Sequence, residues 1–432
     1  MTSIKTKYPP WFNHQTIYEV NLRQYTKSGT MMEFSEHLPR LKDLGVGILW
    51  FMPVQPIGKK NRKGTLGSYY SISNYREINP EFGTLEDFKS LVQKIHNLDM
   101  KVIIDWVANH TAWDHHWVKE HPEFYSIEEN GNFRPPYPDW EDVIHLNYNN
   151  PALWDKMIEA MAFWVREADV DGFRCDMAHL VPTLFWNYAR FQLEKTKPLY
   201  MLAESDNHDL LAYAFDTLYN WHLLHAINDV AAGRITANGL LDLFRAGLEH
   251  LPAGATQLNF TTNHDENSWK GSAIERLHYY LEPLTVLVFM LPGIPLIYTG
   301  QEAGNYRSLK FFDKDEVEWK EDKMKLLFQK LCKVRKKNIA LWNTINQGQF
   351  LIITTNYPAK IAAFKRVCDK NEVLVICNLN DEAIIVDLDL DLNEELFYDW
   401  FTQDSVTGDE VATVHLKPFG YKVFTKNQTH AD

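Results

Sequence analysis

The chain has few cysteines, no basic excess, no long apolar run and no glycine-rich nucleotide turn, and each shortage excludes something. Its four cysteines, Cys175, Cys332, Cys368 and Cys377, show no close-spaced metal or redox pattern. A disulfide scaffold is therefore not expected, and Cys175, inside a β-like run, reads as a buried free thiol. The longest apolar stretch, Pro283–Pro295, is broken by prolines and too short to span a bilayer, so no membrane partner is expected. A net charge of −13 argues against nucleic acid, which wants clustered Lys and Arg. The first residues, MTSIKTKYPPWFNHQ, carry two lysines but no apolar core or small-residue cleavage site of a signal. A reduced, cytoplasmic setting is the simplest expectation, although a mature chain trimmed of its signal would look the same. There is no internal repeat, and oligomeric state is not legible.

What the chain does have is a regular alternation. Its 432 residues are enough for a main domain and a smaller one. Apolar, β-like runs recur at Thr16–Val20, Val46–Met52, Lys101–Trp106, Val170–Cys175, Leu199–Ala203, Ala212–Asp216, Ala255–Thr261 and Ile294–Thr299. Between them, helical periodicity marks Met32–Leu44, Leu85–Leu98, Pro151–Glu167, Pro182–Lys195, Ala237–His250 and Glu275–Leu291. Thr84, followed by Glu86 and Asp87, is a plausible helix start. Eight strands alternating with helices predict a closed (β/α)₈ TIM barrel. The runner-up, a doubly wound sheet, lacks its dinucleotide turn.

Two regions escape the alternation. Residues 111–148 are rich in Trp, His, Pro and Asn without helical period, and read as a small domain inserted after the third strand. After the helix at Asp322–Asn338 come short alternating segments, Phe350–Thr355, Ile361–Val367, Glu372–Asn378, Ala383–Leu390 and Tyr421–Thr425. The expected division is a barrel over 1–110 and 149–342, an insert over 111–148, and a C-terminal all-β sandwich over 343–432.

Charged and imidazole side chains collect at the strand ends. The segments are SYYSISNY (Ser68–Tyr75), DWVANH (Asp105–His110), DGFRCDMAH (Asp171–His179), LAESD (Leu202–Asp206) and FTTNHDEN (Phe260–Asn267). Three carboxylates, Asp176, Glu204 and Asp265, follow or lie within β-like runs. Retaining cleavage of a glycosidic bond needs a carboxylate nucleophile and a carboxylic acid about 5–5.5 Å apart. Barrel strand ends can bring such groups together. A single strand-end acid is more often a cap or an ion-pair partner; the joint pattern reverses that default.

With GVGILWFMPVQPIG (Gly45–Gly58) and GIPLIYTGQEAG (Gly293–Gly304) added, seven segments in order resemble those of the α-amylase family. The resemblance covers nearly the whole length. It implies an A-domain barrel, a B domain in the third loop and a C-terminal β-sandwich. It also implies that Asp176 is the nucleophile, Glu204 the acid/base and Asp265 the third carboxylate, which holds sugar hydroxyls. His110 and His264 match the hydroxyl-binding imidazoles, and Tyr70 the aromatic beneath the sugar, with Tyr69 a neighbouring alternative. Arg174 would keep Asp176 ionised, and Asp105 would orient Arg174. His179 would reach the leaving-group side, and Leu180 departs from the common His there. Trp113, Tyr137, Trp140, Trp221 and Trp269 are candidate sugar platforms; His115, His116 and Trp117 read as surface or packing.

Many members bind structural calcium through an Asn like Asn109 and an Asp in the B domain. Here Asn147 stands where that Asp usually is, so calcium is allowed rather than required, with Asn109 and Asn147 as candidate ligands. No other cofactor is needed. The expected activity is retaining hydrolysis of internal α-1,4 bonds in starch, glycogen or maltooligosaccharides. Alternatives that share this centre are an exo-acting α-glucosidase, a maltogenic enzyme and a transglycosylase; a non-catalytic carbohydrate-binding protein fits poorly with intact carboxylates.

Overall fold

A computed structural model describes residues 9–252, 254–343, 348–392 and 395–426. Its centre is a closed barrel of eight parallel strands: β1 (Ile17–Val20), β2 (Ile48–Phe51), β3 (Lys101–Trp106), β4 (Gly172–Cys175), β5 (Tyr200–Ala203), β6 (Thr217–Tyr219), β7 (Thr256–Asn259) and β8 (Ile294–Tyr298). Neighbours in sequence are neighbours in the barrel, and β1 closes on β8 with Ile17 opposite Leu296. Nearly every strand residue is buried, as expected when side chains fill the barrel on one face and pack under helices on the other. Gly172 is required by the packing: a Cβ there would stand 1.9 Å from Tyr200 O on β5.

Helices cover the barrel where local chemistry starts them. Leu85–Asn97 begins with a complete capping box between Thr84 and Asp87. Pro151–Glu167 begins with the Asn150 side chain capping Ala152 N–H and proline in the first turn. Three expectations need correction. The helix expected over Met32–Leu44 is two, Met31–Ser35 and Leu38–Leu44, because Pro39 cannot continue the ladder from the preceding turn. The helix expected over Glu275–Leu291 breaks at His278, whose φ is +47°, and resumes at Leu281. The strand expected over Ala212–Asp216 lies instead at Thr217–Tyr219. Asp216 precedes it and uses its carboxylate to accept Met201 N–H (2.8 Å) and to pair with Arg190 (2.9 Å). A helix at Trp221–Ala231, capped by Asn220, was not anticipated.

The segment after β3 builds a two-stranded ladder, His110–Ala112 against Val143–His145. The C-terminal region forms a six-stranded antiparallel sheet faced by a two-stranded ribbon, Ile384–Asp387 with Thr413–Leu416. Along Ile361–Cys368 and Asn371–Asn378 the side chains alternate between two cores. Ile361, Ala363, Leu374 and Ile376 face the ribbon, whereas Ala362, Phe364, Val373 and Val375 join the core of the barrel. Among the described residues, no helix is long and apolar enough to cross a membrane.

Candidate active site

A cavity of about 430 Å³ opens at the C-terminal ends of the barrel strands, lined among others by Tyr70, His110, Asp176, Glu204 and Asp265. Asp176 immediately follows β4 and Glu204 immediately follows β5. Met177, between them in the chain, takes a left-handed φ of +42° and donates its N–H to Glu204 Oε2 (2.9 Å). Such a conformation in a residue with a side chain stores strain, and functional sites are where it is usually kept.

Arg174 organises the acids. Fully buried on β4, its Nη1 donates to Asp105 Oδ1 (2.8 Å) and Asp176 Oδ1 (3.2 Å). Its Nη2 lies 2.9 Å from Glu204 Oε2 but without hydrogen-bond alignment, so that contact is ionic. Nε donates to Tyr219 Oη (3.1 Å), and the guanidinium packs against the rings of Trp50 and Tyr219. Trp50 and Tyr70 both donate to Asp105 Oδ2 (3.2 and 3.1 Å). Asp105 thus fixes Arg174, and one cation serves three carboxylates.

One positive charge does not neutralise them all. Burial, and then the charge of Glu204, push the Asp176 carboxyl well above the ordinary carboxylate range, against the pull of Arg174. Glu204 is thus part of what opposes ionisation of Asp176, and Arg174 is what favours it. Asp265 differs: burial works to raise it, but the adjacent His264 outweighs that and lowers it. Burial disfavours the His264 imidazolium, yet Asp265 and Glu19 overcome this and raise its pKa well above the usual histidine value. His264 Nδ1 lies 2.5 Å from Glu19 Oε1, and its Nε2 2.7 Å from Tyr70 Oη and 3.2 Å from Asp265 Oδ2. His110 is the opposite case: burial, then His145, lower its pKa to about 3, so it is neutral. Asn109 Nδ2 lies 3.2 Å from His110 Nδ1. If the amide donates there, Nε2 carries the proton and can serve a hydroxyl.

Tyr70 is stacked on His264 (5.4 Å between centroids, 23°) and on Phe311 (6.3 Å, 13°). Tyr69 points elsewhere, donating to Asn21 Oδ1 (2.8 Å). Of the five aromatic platform candidates, Trp140 and Trp269 line the cavity; Trp113, Tyr137 and Trp221 do not. His179 is exposed on the short turn past Asp176 and is not among the lining residues. His115 and Trp117 are buried beside Tyr75, as packing.

Some site residues had not been singled out. Glu19 is the lone charge in the buried strand β1, which was a usable signal. Phe311, Phe312 and Lys63 also line the cavity, but they come from irregular segments without periodicity.

The proposed calcium ligands are a poor donor set. Asn109 Oδ1 is buried without a hydrogen-bond partner, but Asn147 Oδ1 accepts Asn149 N–H (3.2 Å). Among the described residues, no three His, Cys, Asp or Glu side chains converge to hold a metal. Two neutral amides without a carboxylate do not fit a hard divalent cation.

Comparison with known proteins identifies the family. Residues 8–141 match the family model for the alpha amylase catalytic domain. The crystal structure of an alpha-amylase from Lactobacillus plantarum superposes with a TM-score of 0.84 at 30% identity, covering 95% of this chain and 98% of that one. A noncanonic maltogenic alpha-amylase from Thermotoga neapolitana gives 0.84 at 31%, covering 95% and 96%. A maltogenic alpha-amylase from Bacillus acidopullulyticus is 26% identical over 426 residues, of which this chain spans 69% of the length. Some other curated relatives are longer still, and the chain spans 57% of the alpha-amylase MalA of Haloarcula japonica. The chain belongs to the α-amylase family and is an α-amylase-type glycosidase.

Proposed function

We propose that the protein hydrolyses α-1,4-glucosidic bonds of starch, glycogen or maltooligosaccharides with retention, through a covalent glycosyl-enzyme on Asp176. The observation that carries this reading is the single guanidinium of Arg174 touching both Asp176 (3.2 Å) and Glu204 (2.9 Å). Two acids held by one guanidinium lie near enough to act on the same bond, which supports the close pair, about 5–5.5 Å apart, that retention uses.

The reaction follows from the charges. At the moment of attack Glu204 carries the proton, and Asp176 is ionised beside Arg174. Asp176 Oδ attacks the anomeric carbon while Glu204 gives its proton to the leaving oxygen. Asp265, ionised by His264, favours the positive charge developing on the sugar ring and binds its hydroxyls. His110 and Tyr70 position the same ring. Glu204, now a carboxylate, deprotonates the water that attacks the glycosyl-enzyme, and Asp176 departs with the anomeric configuration restored.

Asp176→Asn is expected to abolish turnover of maltoheptaose by several orders of magnitude, with the fold retained. Glu204→Gln is expected to be severely impaired on maltoheptaose and far less so in the first step on an α-glucosyl fluoride, whose leaving group needs little protonation. Added azide should accelerate its turnover and give an α-glucosyl azide. Equal impairment on both substrates without an azide response places the acid/base elsewhere.

A further inference from the structure

One loop forms a wall of the cavity. Residues 58–71 leave the barrel after β2 and are closed at the base by Gly58 N–H donating to Ser71 O (2.8 Å). Arg62 folds back on that base, donating from Nε to Gly58 O (2.8 Å) and from Nη2 to Ile57 O (2.9 Å), which stiffens the loop. From its tip, Lys63 Nζ reaches the segment inserted after β3, donating to Asp139 O (2.7 Å) and lying 3.5 Å from Asp142 Oδ1. Asp142 is itself anchored, its carbonyl accepting Ser71 Oγ–H (3.0 Å). On the other flank, Thr65 donates to Asp313 Oδ1 from N–H (2.9 Å) and Oγ1 (2.6 Å), and Leu66 N–H donates to Phe312 O (2.9 Å). The loop therefore ties the segment after β3 to the segment after β8.

The barrel order says which end of a substrate meets this wall. β2 and β8 flank β1, and in an eight-membered circle β5 lies directly across from β1. Glu204 follows β5. The leaving group must lie against the acid that protonates it, so the aglycone runs out on the β5 side. The glycone runs the other way, past Tyr70, toward Lys63.

We infer that the Lys63 bridge to Asp139 and Asp142 closes the glycone end of the cleft, so that the enzyme takes α-glucan chains by their non-reducing ends and releases a short glycone. This rests on the roles proposed for Asp176 and Glu204, and replaces the internal cleavage expected from the sequence. A chain continuing beyond the bridge would have to displace the Lys63 ammonium from a carbonyl and a carboxylate together. A chain that ends there instead presents hydroxyls to the same polar groups, with Trp140 and Phe312 lining the space in between.

The test compares 4-nitrophenyl maltoheptaoside with the same compound carrying a 4,6-ethylidene acetal on its non-reducing glucose, products being separated by chromatography. The wild type is expected to cleave the free substrate at least about tenfold faster than the capped one, the scale on which a closed pocket rejects small additions. Its first products should be short saccharides from the non-reducing end. Lys63→Ala should narrow the ratio, and Lys63→Arg, which keeps the donor and the reach, should preserve it. Lys63 is partly exposed, so folding is not at stake. Equal wild-type rates on the two substrates, or a ratio unmoved in Lys63→Ala, overturns the inference and leaves retaining hydrolysis standing. Failure of the wild type on both overturns the proposed hydrolysis of α-1,4 maltooligosaccharides, and this inference with it.

Discussion

His264 concentrates the electrostatics of the site in one side chain. It is 1% exposed and paired with Glu19, which is fully buried, and it also contacts the more open Asp265. Removing one partner of a buried pair leaves the other uncompensated, at a cost of about 3–5 kcal/mol. The pH dependence has a definite sign. The folded pKa of His264 is raised above 6.5, so its contribution is full below about pH 6.5 and fades as pH rises through the raised value. Asp265 is lowered below 3.8, so its contribution is full above that and fades as pH falls through the lowered value. Burial holds Glu19 above 4.5 against the pull of His264, so the stability lost in His264→Gln, measured by urea unfolding, should be largest near about pH 6.5 and shrink both in alkali and in acid. A loss independent of pH contradicts the charged imidazole. Asp176, Glu204, Asp265 and His264 were legible as a set because each lies at or a few residues past the end of a barrel strand, inside a motif. The contact of Arg174 with both Asp176 and Glu204 was not, because Glu204 lies thirty residues beyond the arginine in sequence.

At the scale of elements, the strand positions matter more than their lengths. β4 carries Arg174 and delivers Asp176, and it packs on β5 only because residue 172 lacks a side chain. Gly172→Ala would put a Cβ 1.9 Å from Tyr200 O and wedge the two strands apart. Backbone clashes of this kind relax poorly, so a loss of about 3 kcal/mol or more is expected. Thermal unfolding should show it, with activity falling further because Asp176 and Glu204 ride on the separated strands. An unchanged melting temperature contradicts the packing. Most strands and helices were legible from apolar runs and helical period. β6 was misplaced because the apolar residues before it belong to a turn whose polar anchor, Asp216, is satisfied by Arg190 and Met201 from elsewhere in the chain. The Lys63 bridge was illegible for a similar reason: its partners lie more than seventy residues away.

At the scale of the whole molecule, the C-terminal sheet shares a hydrophobic core with the barrel domain. One face of Ile361–Cys368 and Asn371–Asn378 lies in the barrel's own core. Two buried arginines reinforce the seam at the C-terminal end of the helix Leu281–Met290, where carbonyls carry partial negative charge. Arg335, from the helix Lys323–Lys337, donates to Phe289 O (2.7 Å) and Gly293 O (2.8 Å), and Arg366, from the sheet, donates to Met290 O (3.1 Å). An interface this apolar is expected to unfold with both its sides. Calorimetry of the full chain should give one cooperative transition, and a chain ending at residue 342 should aggregate. Two separated transitions, with a soluble active barrel, contradict the shared core.

Retention at this site depends on a covalent intermediate on Asp176. The most direct measurement is mass spectrometry of Glu204→Gln after reaction with an α-glucosyl fluoride, followed by proteolysis and peptide sequencing. The predicted result is a single added glycosyl residue on the peptide containing Asp176, lost on adding azide with formation of the α-glucosyl azide. A glycosyl group on another residue, or turnover to a β-configured product with no adduct at all, contradicts it.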